Sequence, residues 1–458
     1  MADRYDVIIA GARCSGASLG IHLARAGVKV LIVDAAKLPS DHVLSTHYLH
    51  PSGLDELDNL GVGDVVRTAA PATRQFAIAA DASRVLVTYP DGRAGRSVRR
   101  FKLDRWLQEA AIAAGVEIRD RCRVVELLRS QDRVSGVVVE TPGRREAISA
   151  PLVVGADGQH SSVAELAGVE EYLGFDMTRG GYWFYWPAPP AWRNRDYQML
   201  LAWTGDGLRY AFQTDDDLLL LVAAPPLAEA RSWGRDYRSK YMQYLLASEH
   251  TADLVEGNQP IEPGAGFLKG RFFYRRAVGA GFALVGDAGN FKDVVTGHGM
   301  TDALLGARWL AEAILDGRPE AFEVYWRRRD AQTLPLYFDA RRRGAVGANT
   351  PLLRLVIERA GRHRRLADRF GLVSERRISP TAAFSRSRIL AWVLAAALRG
   401  RPSLIASFLK TGREFAGEGA EIRERRLLLR RAEAALAGTA PQLPPSSPPT
   451  RKRLPAGT

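Results

Sequence analysis

The sequence has little cysteine and no long apolar run. Its 458 residues include two cysteines, Cys14 and Cys122, which are too few for a disulfide framework and lack metal-ligand spacing. No uncharged apolar stretch approaches the length of about 18 residues that a membrane-spanning helix needs. The first residues lack the basic region and cleavage site of a secretion signal, so a reducing cytoplasm is the expected location. No metal site is predicted, because no carboxylate–histidine pattern with ligand spacing is present.

Positive charge is concentrated in the last quarter of the chain. The net charge is +13, yet residues 341–458 contain 25 Lys and Arg against 8 Asp and Glu, which leaves −4 for the preceding 340 residues. We interpret this quarter as a solvated helical surface, because its arginines alternate with glutamates and apolar stripes, and we predict no nucleic-acid partner. Contact with a membrane surface stays the alternative. The arginines that flank the apolar segment 389–398 are Arg386, Arg388, Arg399 and Arg401.

The N-terminus predicts a strand, a tight turn, a helix and a second strand. Residues 5–10 and 28–33 are apolar runs typical of buried parallel strands, and the second run ends at Asp34. A helix that begins at such a turn directs free N–H groups at its ligand, which favours a pyrophosphate. Asp34 follows Gly11 by 23 positions, where a carboxylate can hold a ribose. The turn predicts a dinucleotide site, and a turn without ligand is the alternative. Its candidate residues are Gly11, Arg13, Cys14, Ser15 and Gly16.

Two later segments each place an aspartate after a buried strand and beside glycines. Asp157 follows the strand that ends at Gly155, and Asp287 follows Gly286. Such an aspartate can accept hydrogen bonds from the hydroxyls of a bound sugar or ribityl chain. After Asp287 a second glycine-rich turn opens a helix, whose N-terminus would stabilise negative charge on a reduced flavin ring. The candidate residues of this second turn are Gly297, His298, Gly299 and Met300.

The order of these three motifs resembles that of FAD-dependent aromatic hydroxylases and related monooxygenases. These glutathione-reductase-type flavoproteins have flavin-dependent halogenases and geranylgeranyl reductases among their relatives. The resemblance implies an α/β fold, with a Rossmann-like FAD-binding domain, an inserted strand-rich substrate domain and a helical C-terminal region. The expected ranges are 1–75, 98–178 and 272–325 for the FAD domain, 76–97 and 179–271 for the substrate domain, 326–437 for the helical region and 438–458 for a disordered tail.

The resemblance also implies how FAD is held. The first turn would bind the pyrophosphate and Asp34 the ribose, while Asp287 would contact the ribityl–phosphate region. Residues 297–300 would lie against the pyrimidine of the isoalloxazine. The segment 100–104 matches the family's Arg-x-x-Leu-Asp helix start, which puts Arg100 near the phosphates, and Val124 stands where the family offers backbone to adenine.

The sequence departs from the family pattern in two places. Ala164 stands where the family has an arginine linked to handling of both FAD and NADPH. Electrons are therefore expected from NADH or NADPH either directly or through a partner flavin reductase. Asp293, Val294 and Val295 stand where the family has one or two prolines, so a differently shaped loop is expected near the flavin.

The activity that the resemblance implies is hydroxylation of an apolar or aromatic small molecule through a flavin C4a-hydroperoxide. The alternatives are reduction of isoprenoid double bonds, halogenation, and a non-catalytic flavin- or lipid-binding protein. His47 and His50 are candidate catalytic residues, because the segment after the Asp34 strand passes near the flavin ring in this family. Loop histidines with local hydrogen bonds are the alternative interpretation.

An aromatic strand at residues 182–187 supplies candidate substrate contacts. Because side chains alternate along a strand, Tyr182, Phe184 and Trp186 share one face, and Trp183 and Tyr185 share the other. The first face would line an apolar substrate pocket, with core packing as the alternative. The spacing loosely resembles the Tyr-x-Trp-x-Phe-Pro pattern of geranylgeranyl reductases, with Trp and Phe exchanged.

Overall fold

The computed structural model describes residues 5–40 and 45–438, and the tail predicted at 438–458 lies outside the described residues from residue 439 onwards. In chain order the strands are β1 (Val7–Ala10), β2 (Val30–Val33), β3 (Tyr48–Leu49), β4 (Gln75–Ala80), β5 (Ser83–Thr88), β6 (Arg96–Ser97), β7 (Glu117–Arg119), β8 (Arg123–Ser130), β9 (Arg133–Thr141), β10 (Arg144–Ser149), β11 (Leu152–Gly155), β12 (Glu171–Asp176), β13 (Gly181–Pro187), β14 (Met199–Thr204), β15 (Gly207–Gln213), β16 (Leu218–Ala224), β17 (Ile261–Phe267), β18 (Arg271–Arg275), β19 (Val278–Gly279), β20 (Phe282–Leu284) and β21 (Asn290–Phe291). The helices are α1 (Cys14–Arg25), α2 (Pro51–Leu60), α3 (Gly63–Ala69), α4 (Arg100–Ala113), α5 (Ser162–Leu166), α6 (Pro190–Arg193), α7 (Leu227–Ser232), α8 (Tyr237–Leu246), α9 (Ala252–Val255), α10 (Gly299–Asp316), α11 (Pro319–Gly344), α12 (Pro351–Gly361), α13 (Arg364–Ser374), α14 (Arg386–Ala397) and α15 (Ser403–Leu436).

A six-stranded sheet in the order β19-β20-β11-β1-β2-β7 contains the N-terminal unit. The strands from β20 to β7 are parallel, and β19 is antiparallel to β20. Its central strands are uniformly apolar because both faces of the sheet are covered. Helices α1, α4 and α10 pack on one face, and the three-stranded sheet of β8, β9 and β10 packs on the other. Since the carboxyl ends of parallel strands meet at one edge, the glycine-rich motifs after β1, β11 and β20 are neighbours.

A seven-stranded sheet has the order β17-β13-β16-β15-β14-β4-β5. Its pairs are antiparallel except for β14 and β4, which run parallel although β5 and β13 of the same sheet lie between them along the chain. One face packs against the segment that contains α7, α8 and α9. The other face packs against α12, α13 and the turn that precedes α10. The second face of the sheet therefore lies on the side of the glycine-rich turn before α10.

The C-terminal helices enclose this second face. Helix α11 contacts α10 and runs along α15, while α12 and α13 cover β5. Thr350 begins α12 by accepting a hydrogen bond from the N–H of Leu353 at 3.1 Å, and Pro351 occupies its first turn. Within residues 5–40 and 45–438, none of the helices has both the length and the hydropathy that crossing a membrane requires.

Candidate functional site

The first turn has the backbone geometry of a phosphate site. Gly11 has φ +106°, and a Cβ there would overlap the carbonyl of Ala156, so only glycine fits. A Cβ at Gly16 would overlap the carbonyl of Gly11, which shows how closely α1 approaches β1. Helix α1 begins at Cys14, and Arg13 supplies no side-chain cap. The first-turn N–H groups of α1 are therefore left for an anionic ligand.

Asp34 lies beside this turn, at the end of β2. Its Oδ2 accepts the N–H of Ala12 at 2.8 Å, and its Oδ1 accepts the N–H of Ala36 at 2.8 Å. A carboxylate has about four lone-pair sites, so acceptor capacity remains for ribose hydroxyls. The guanidinium of Arg13 turns away from the helix axis and donates to Ser40 Oγ at 3.1 Å.

A buried polar cluster joins the first turn to α4. Arg100 forms an ion pair with Asp104 at 2.9 Å, one helical turn along α4. The Cys14 thiol donates to Asp104 Oδ1 at 3.3 Å, and burial raises the pKa of this thiol. Cys14 is thus a neutral hydrogen-bond donor, as expected of a packed cysteine rather than a nucleophile.

Asp287 lies close to the same cluster. Gly286 has φ +63°, and a Cβ there would lie 2.8 Å from Ser15 Oγ, so the turn after β20 touches the start of α1. Burial raises the pKa of Asp287 to about 6, and the nearby charge of Arg100 opposes this shift. The structure therefore brings the first and third motifs together at one end of the six-stranded sheet.

Asp157 and Val124 have different surroundings. The carboxylate of Asp157 accepts the Ser161 hydroxyl, and its Oδ2 accepts the N–H of Ser162 at 2.7 Å. It thereby caps the start of α5, a structural role that the sequence analysis did not anticipate for a predicted cofactor contact. Val124 is buried in β8 and pairs with Val139. Beside it, an open groove is lined by Ala35, Arg121, Arg123 and residues 140–145.

Asp293 shapes the turn before α10, at a place where the resembled family has one or two prolines. Its carboxylate accepts the N–H of Val295 at 3.0 Å, and burial raises its pKa to about 6. Gly297 has φ +65°, and a Cβ there would lie 3.6 Å from His50 Nε2. Helix α10 then begins at Gly299 without a side-chain cap from His298, which leaves its first N–H groups for a ligand, and Met300 is buried behind them.

His50 belongs to a directional chain of hydrogen bonds. Its Nε2 lies 2.9 Å from the carbonyl oxygen of Thr296, which can only accept, so Nε2 carries the proton. Nδ1 therefore accepts the hydroxyl of Tyr89 at 2.9 Å, and Tyr89 in turn accepts the hydroxyl of Tyr48 at 2.7 Å. Burial lowers the pKa of His50 to about 4, so its ring is neutral at pH 7.

His47 occupies a separate position beside Tyr185 of β13, on the second face of the seven-stranded sheet. It is fully buried with φ +57°, and its Nε2 lies 2.6 Å from the hydroxyl of Tyr185. Its Nδ1 has no hydrogen-bond partner among the described residues. Burial, helped by the charge of Arg100, lowers the pKa of His47 to about 3. A non-glycine residue held in the left-handed region of backbone space is frequent at functional sites.

The aromatic strand β13 presents the opposite face to the one predicted for substrate. Tyr182, Phe184 and Trp186 are buried against the helices on the first face of the seven-stranded sheet, where Trp186 Nε1 donates to Tyr241 Oη at 3.1 Å. These three rings are part of the core in the structure. Trp183 and Tyr185 lie on the second face, and Tyr185 reaches His47.

A small cavity of about 30 Å³ lies between the turn before α10 and the second face of the seven-stranded sheet. Seven of its thirteen lining residues are apolar, and the neutral imidazoles of His50 and His298 lie on the side of the turn. Two of its polar lining residues, Asp339 and Arg343, form an ion pair at 2.9 Å. The lining residues are His50, Phe76, Ile78, Met199, Leu201, Val295, Thr296, His298, Leu336, Asp339, Arg343, Val373 and Ser374.

Several residues of this site are not predicted by the sequence. Tyr48 and Tyr89 complete the hydrogen-bond chain, and a buried ion cluster of Lys292, Asp302 and Arg376 lies at the start of α10. No local sequence pattern predicts that these five residues belong to the site. Among them Lys292 is a residue whose burial requires a partner, because a lysine is rarely buried unpaired, but the sequence does not show that burial.

Known proteins with a similar sequence include a reductase and a probable oxidoreductase. Digeranylgeranylglycerophospholipid reductase of Methanosarcina mazei is 23% identical over 370 residues, which cover 71% of this chain and 81% of the relative. The probable electron transfer flavoprotein-quinone oxidoreductase YgcN of Escherichia coli is 25% identical over 345 residues, which cover 69% of this chain and 77% of the relative.

Solved structures with a similar fold include a monooxygenase and a halogenase. p-Nitrophenol 4-monooxygenase of Pseudomonas putida has a TM-score of 0.69 at 18% identity, with 83% of this chain and 100% of that chain covered. The myxobacterial chondrochloren halogenase has a TM-score of 0.66 at 19% identity, with 83% and 99% covered. The sequence pattern of the FAD binding domain family matches residues 4–332. This match spans more than half of the chain, which therefore belongs to the FAD binding domain family and is an FAD-dependent oxidoreductase.

Proposed function

We propose that this oxidoreductase reduces a carbon–carbon double bond in an apolar, chain-like small molecule. The carrying observation is the cavity between the turn before α10 and the second face of the seven-stranded sheet, where seven of thirteen lining residues are apolar. Apolar side chains with a few polar groups beside them favour an apolar substrate with a polar end. A space of about 30 Å³ is close to that of one water molecule, so binding requires movement of flexible walls such as Met199 and Leu336.

The chain's own residues would hold FAD in a defined way. The uncapped start of α1 fits the pyrophosphate, Asp34 the ribose, and Asp287 a hydroxyl of the ribityl chain. The uncapped start of α10 fits the electronegative edge of the ring system. When bound, FAD supplies reversible two-electron transfer.

The hydrogen-bond chain supports a proton supply at this place. Adding two hydrogen atoms to a double bond consumes a hydride equivalent and a proton. Tyr48 donates to Tyr89, Tyr89 donates to His50, and His50 donates to the carbonyl of Thr296, so every donor points towards the turn. A proton that Nε2 of His50 gives to the substrate instead of to the Thr296 carbonyl would be replaced at Nδ1 from Tyr89. Tyr89 would in turn be reprotonated by Tyr48, which would regain its proton from water when the site opens. All three side chains are buried and neutral before transfer, so no fixed charge lies beside an apolar substrate.

We propose reduction as the first candidate and hydroxylation as the second, because a reductase is among the sequence relatives. The digeranylgeranylglycerophospholipid reductase noted above aligns with 81% of its own length. The monooxygenase and the halogenase are 18% and 19% identical to this chain and share its fold. A shared fold at this identity does not indicate which reaction this chain catalyses. Hydroxylation is the second candidate, supported by the aromatic side chains Trp183 and Tyr185 on the second face of the sheet.

The electron donor is proposed to be NADH or NADPH, with a partner flavin reductase as the route that Ala164 favours. Ala164 is buried in α5, and its N–H donates to Ser161 Oγ at 3.1 Å. It offers no charge to a nicotinamide cofactor's phosphate groups. Anaerobic addition of NADH or NADPH to the yellow protein tests this: bleaching indicates direct use, and an unchanged spectrum indicates a partner.

One experiment separates the candidate reactions. The protein is reduced with dithionite without oxygen and mixed with a geranylgeranyl-bearing glycerophospholipid in detergent. Reduction predicts return of the oxidised flavin spectrum and a product that has gained two hydrogen atoms per reduced bond. Hydroxylation predicts no reaction until air is admitted, and then a product that has gained one oxygen atom. An unchanged lipid under both conditions contradicts the proposed substrate class.

A further inference from the structure

Helices α14 and α15 form a hairpin with one covered face and one exposed face. On the covered face, Val393 and Leu404 pack against Leu352 and Leu355 of α12. This contact fixes the hairpin to the rest of the protein, on the side of α12 that faces away from the seven-stranded sheet. It leaves the outer face of both helices to solvent.

The outer face carries a stripe of large apolar side chains, which we call the leucine face. Leu390 and Leu394 on α14 and Leu398 directly after its last residue follow one another at helical spacing, with exposures of 41%, 48% and 90%. Ile405 and Leu409 continue the stripe on α15 at 41% and 54%. Single exposed leucines are common on proteins, but five on one hairpin indicate a contact surface.

Basic side chains lie around the leucine face, and acidic ones are absent from it. Residues 386–413 contain six Lys and Arg and no Asp or Glu. These basic residues are Arg386 and Arg388 at the start of α14, Arg399 and Arg401 at the turn, and Lys410 and Arg413 on α15. Arg401 is paired with Glu358 of α12 at 3.2 Å.

We propose that the leucine face docks the protein on the surface of an anionic phospholipid bilayer. Apolar side chains surrounded by cations of one sign match the boundary between acyl chains and anionic headgroups. Helix α14 has 12 residues, and no described helix can span a membrane, so the hairpin would lie along the surface. Association of two copies through the same face would bring like charges together, which disfavours a second copy of this chain as the occupant.

Vesicle flotation with the full-length protein tests the proposal. We expect binding to vesicles of phosphatidylcholine with about 30 mol % phosphatidylglycerol, and little binding to phosphatidylcholine alone. Leu398→Asp should lower the bound-to-free ratio by about tenfold or more, since a charge enters the apolar stripe. Because Leu398 is 90% exposed, this variant should unfold at the wild-type temperature.

The matched control is Leu315→Asp, which changes the net charge equally at a half-exposed leucine on α10. It should bind vesicles as the wild type does. In the same way, Arg386→Gln with Arg388→Gln should weaken binding, and Arg144→Gln with Arg145→Gln on the β9–β10 hairpin should not.

Four results would overturn the proposal. The first is wild-type protein that stays unbound on anionic vesicles at low salt, and the second is unchanged binding by Leu398→Asp. The third is loss of binding only when Arg451, Lys452 and Arg453 are replaced by glutamine, since the terminal segment would then carry it. The fourth is a dimer that Leu398→Asp converts to a monomer without any lipid binding, which would make the face an interface between copies.

Discussion

His50 and His298 lie face to face, with ring centroids 3.8 Å apart and planes within 14° of each other. Each ring is tied to a backbone carbonyl, His50 to Thr296 and His298 to Ser374 at 3.0 Å. Burial holds the pKa of both histidines below the usual range, and the presence of His50 adds to this effect on His298. Two imidazolium rings at this distance would repel strongly, so the stack requires neutral rings.

The first prediction is a loss of stability in mild acid. The pKa of His50 is about 4 in the folded protein against 6.5 in the unfolded chain. Stability that depends on a neutral His50 is therefore fully present above pH 6.5 and is lost as the pH falls towards 4, because the unfolded chain binds the proton first. We expect a decrease of about 2–3 kcal/mol in the free energy of unfolding from this group. Urea unfolding across this pH range measures it.

Two variants isolate the contribution of His50. His50→Gln should flatten the pH dependence, whatever its effect on stability at neutral pH. His160→Gln, at an exposed histidine, should leave the wild-type slope unchanged. Parallel curves for the wild type and His50→Gln between pH 6.5 and pH 4 would contradict the assigned protonation state.

The second prediction concerns Tyr89, the middle of the hydrogen-bond chain. Tyr89→Phe removes the hydroxyl that joins Tyr48 to His50. Turnover should fall by about tenfold to a hundredfold, with an altered solvent isotope effect, because the proton path is broken. FAD affinity should stay unchanged. Tyr337→Phe is the control, since it removes another buried hydroxyl, which donates to Phe272 O at 3.1 Å. Equal losses of turnover in both variants would point to a structural role.

The N-terminal unit could be predicted from sequence because its signals are local. Apolar runs, a glycine and an aspartate at fixed spacing specify β1, the turn and β2, and the second glycine-rich turn is followed by α10 as the sequence predicts. The pairing of β4 with β14 could not be predicted. It joins residues such as Ala77 and Leu200, and no local pattern encodes which distant strand becomes a neighbour.

The candidate site likewise has features that local sequence patterns predict and contacts that they do not. Alternation along β13 correctly groups Tyr182, Phe184 and Trp186, yet alternation cannot say which face of a sheet is covered by helices. The partners of His50 are Tyr89 and Thr296, far from it in sequence, so its hydrogen-bond chain could be found only in three dimensions. The glycine-rich turns needed no such information, since their backbone requirements are written in the residues themselves.

The third prediction separates steric fit from backbone strain at the first turn. Gly11→Ala places a Cβ against the Ala156 carbonyl at φ +106°, whereas Gly27→Ala places one in open space at φ +81°. Both variants adopt an unfavourable φ, at a cost of about 1–2 kcal/mol. Only Gly11→Ala should also displace the start of α1 and lose bound FAD. Flavin content and thermal unfolding measure the two effects, and equal flavin content in both variants would contradict a phosphate role for this turn.

The last prediction compares two tyrosines on opposite faces of the same strand. Tyr185 contacts His47 Nε2 at 2.6 Å on the second face, and Tyr182 donates to the carbonyl of Ala230 at 3.1 Å on the first. Tyr185→Phe should lower kcat/KM by about tenfold, because it releases the His47 ring at the site, and should cost about 1–3 kcal/mol of stability, because the buried Nε2 of His47 loses its partner. Tyr182→Phe should cost about 1 kcal/mol of stability and leave kcat/KM unchanged, since it removes a hydrogen bond within the core. A larger loss of kcat/KM in Tyr182→Phe than in Tyr185→Phe would assign the substrate to the first face, as the sequence alone suggested.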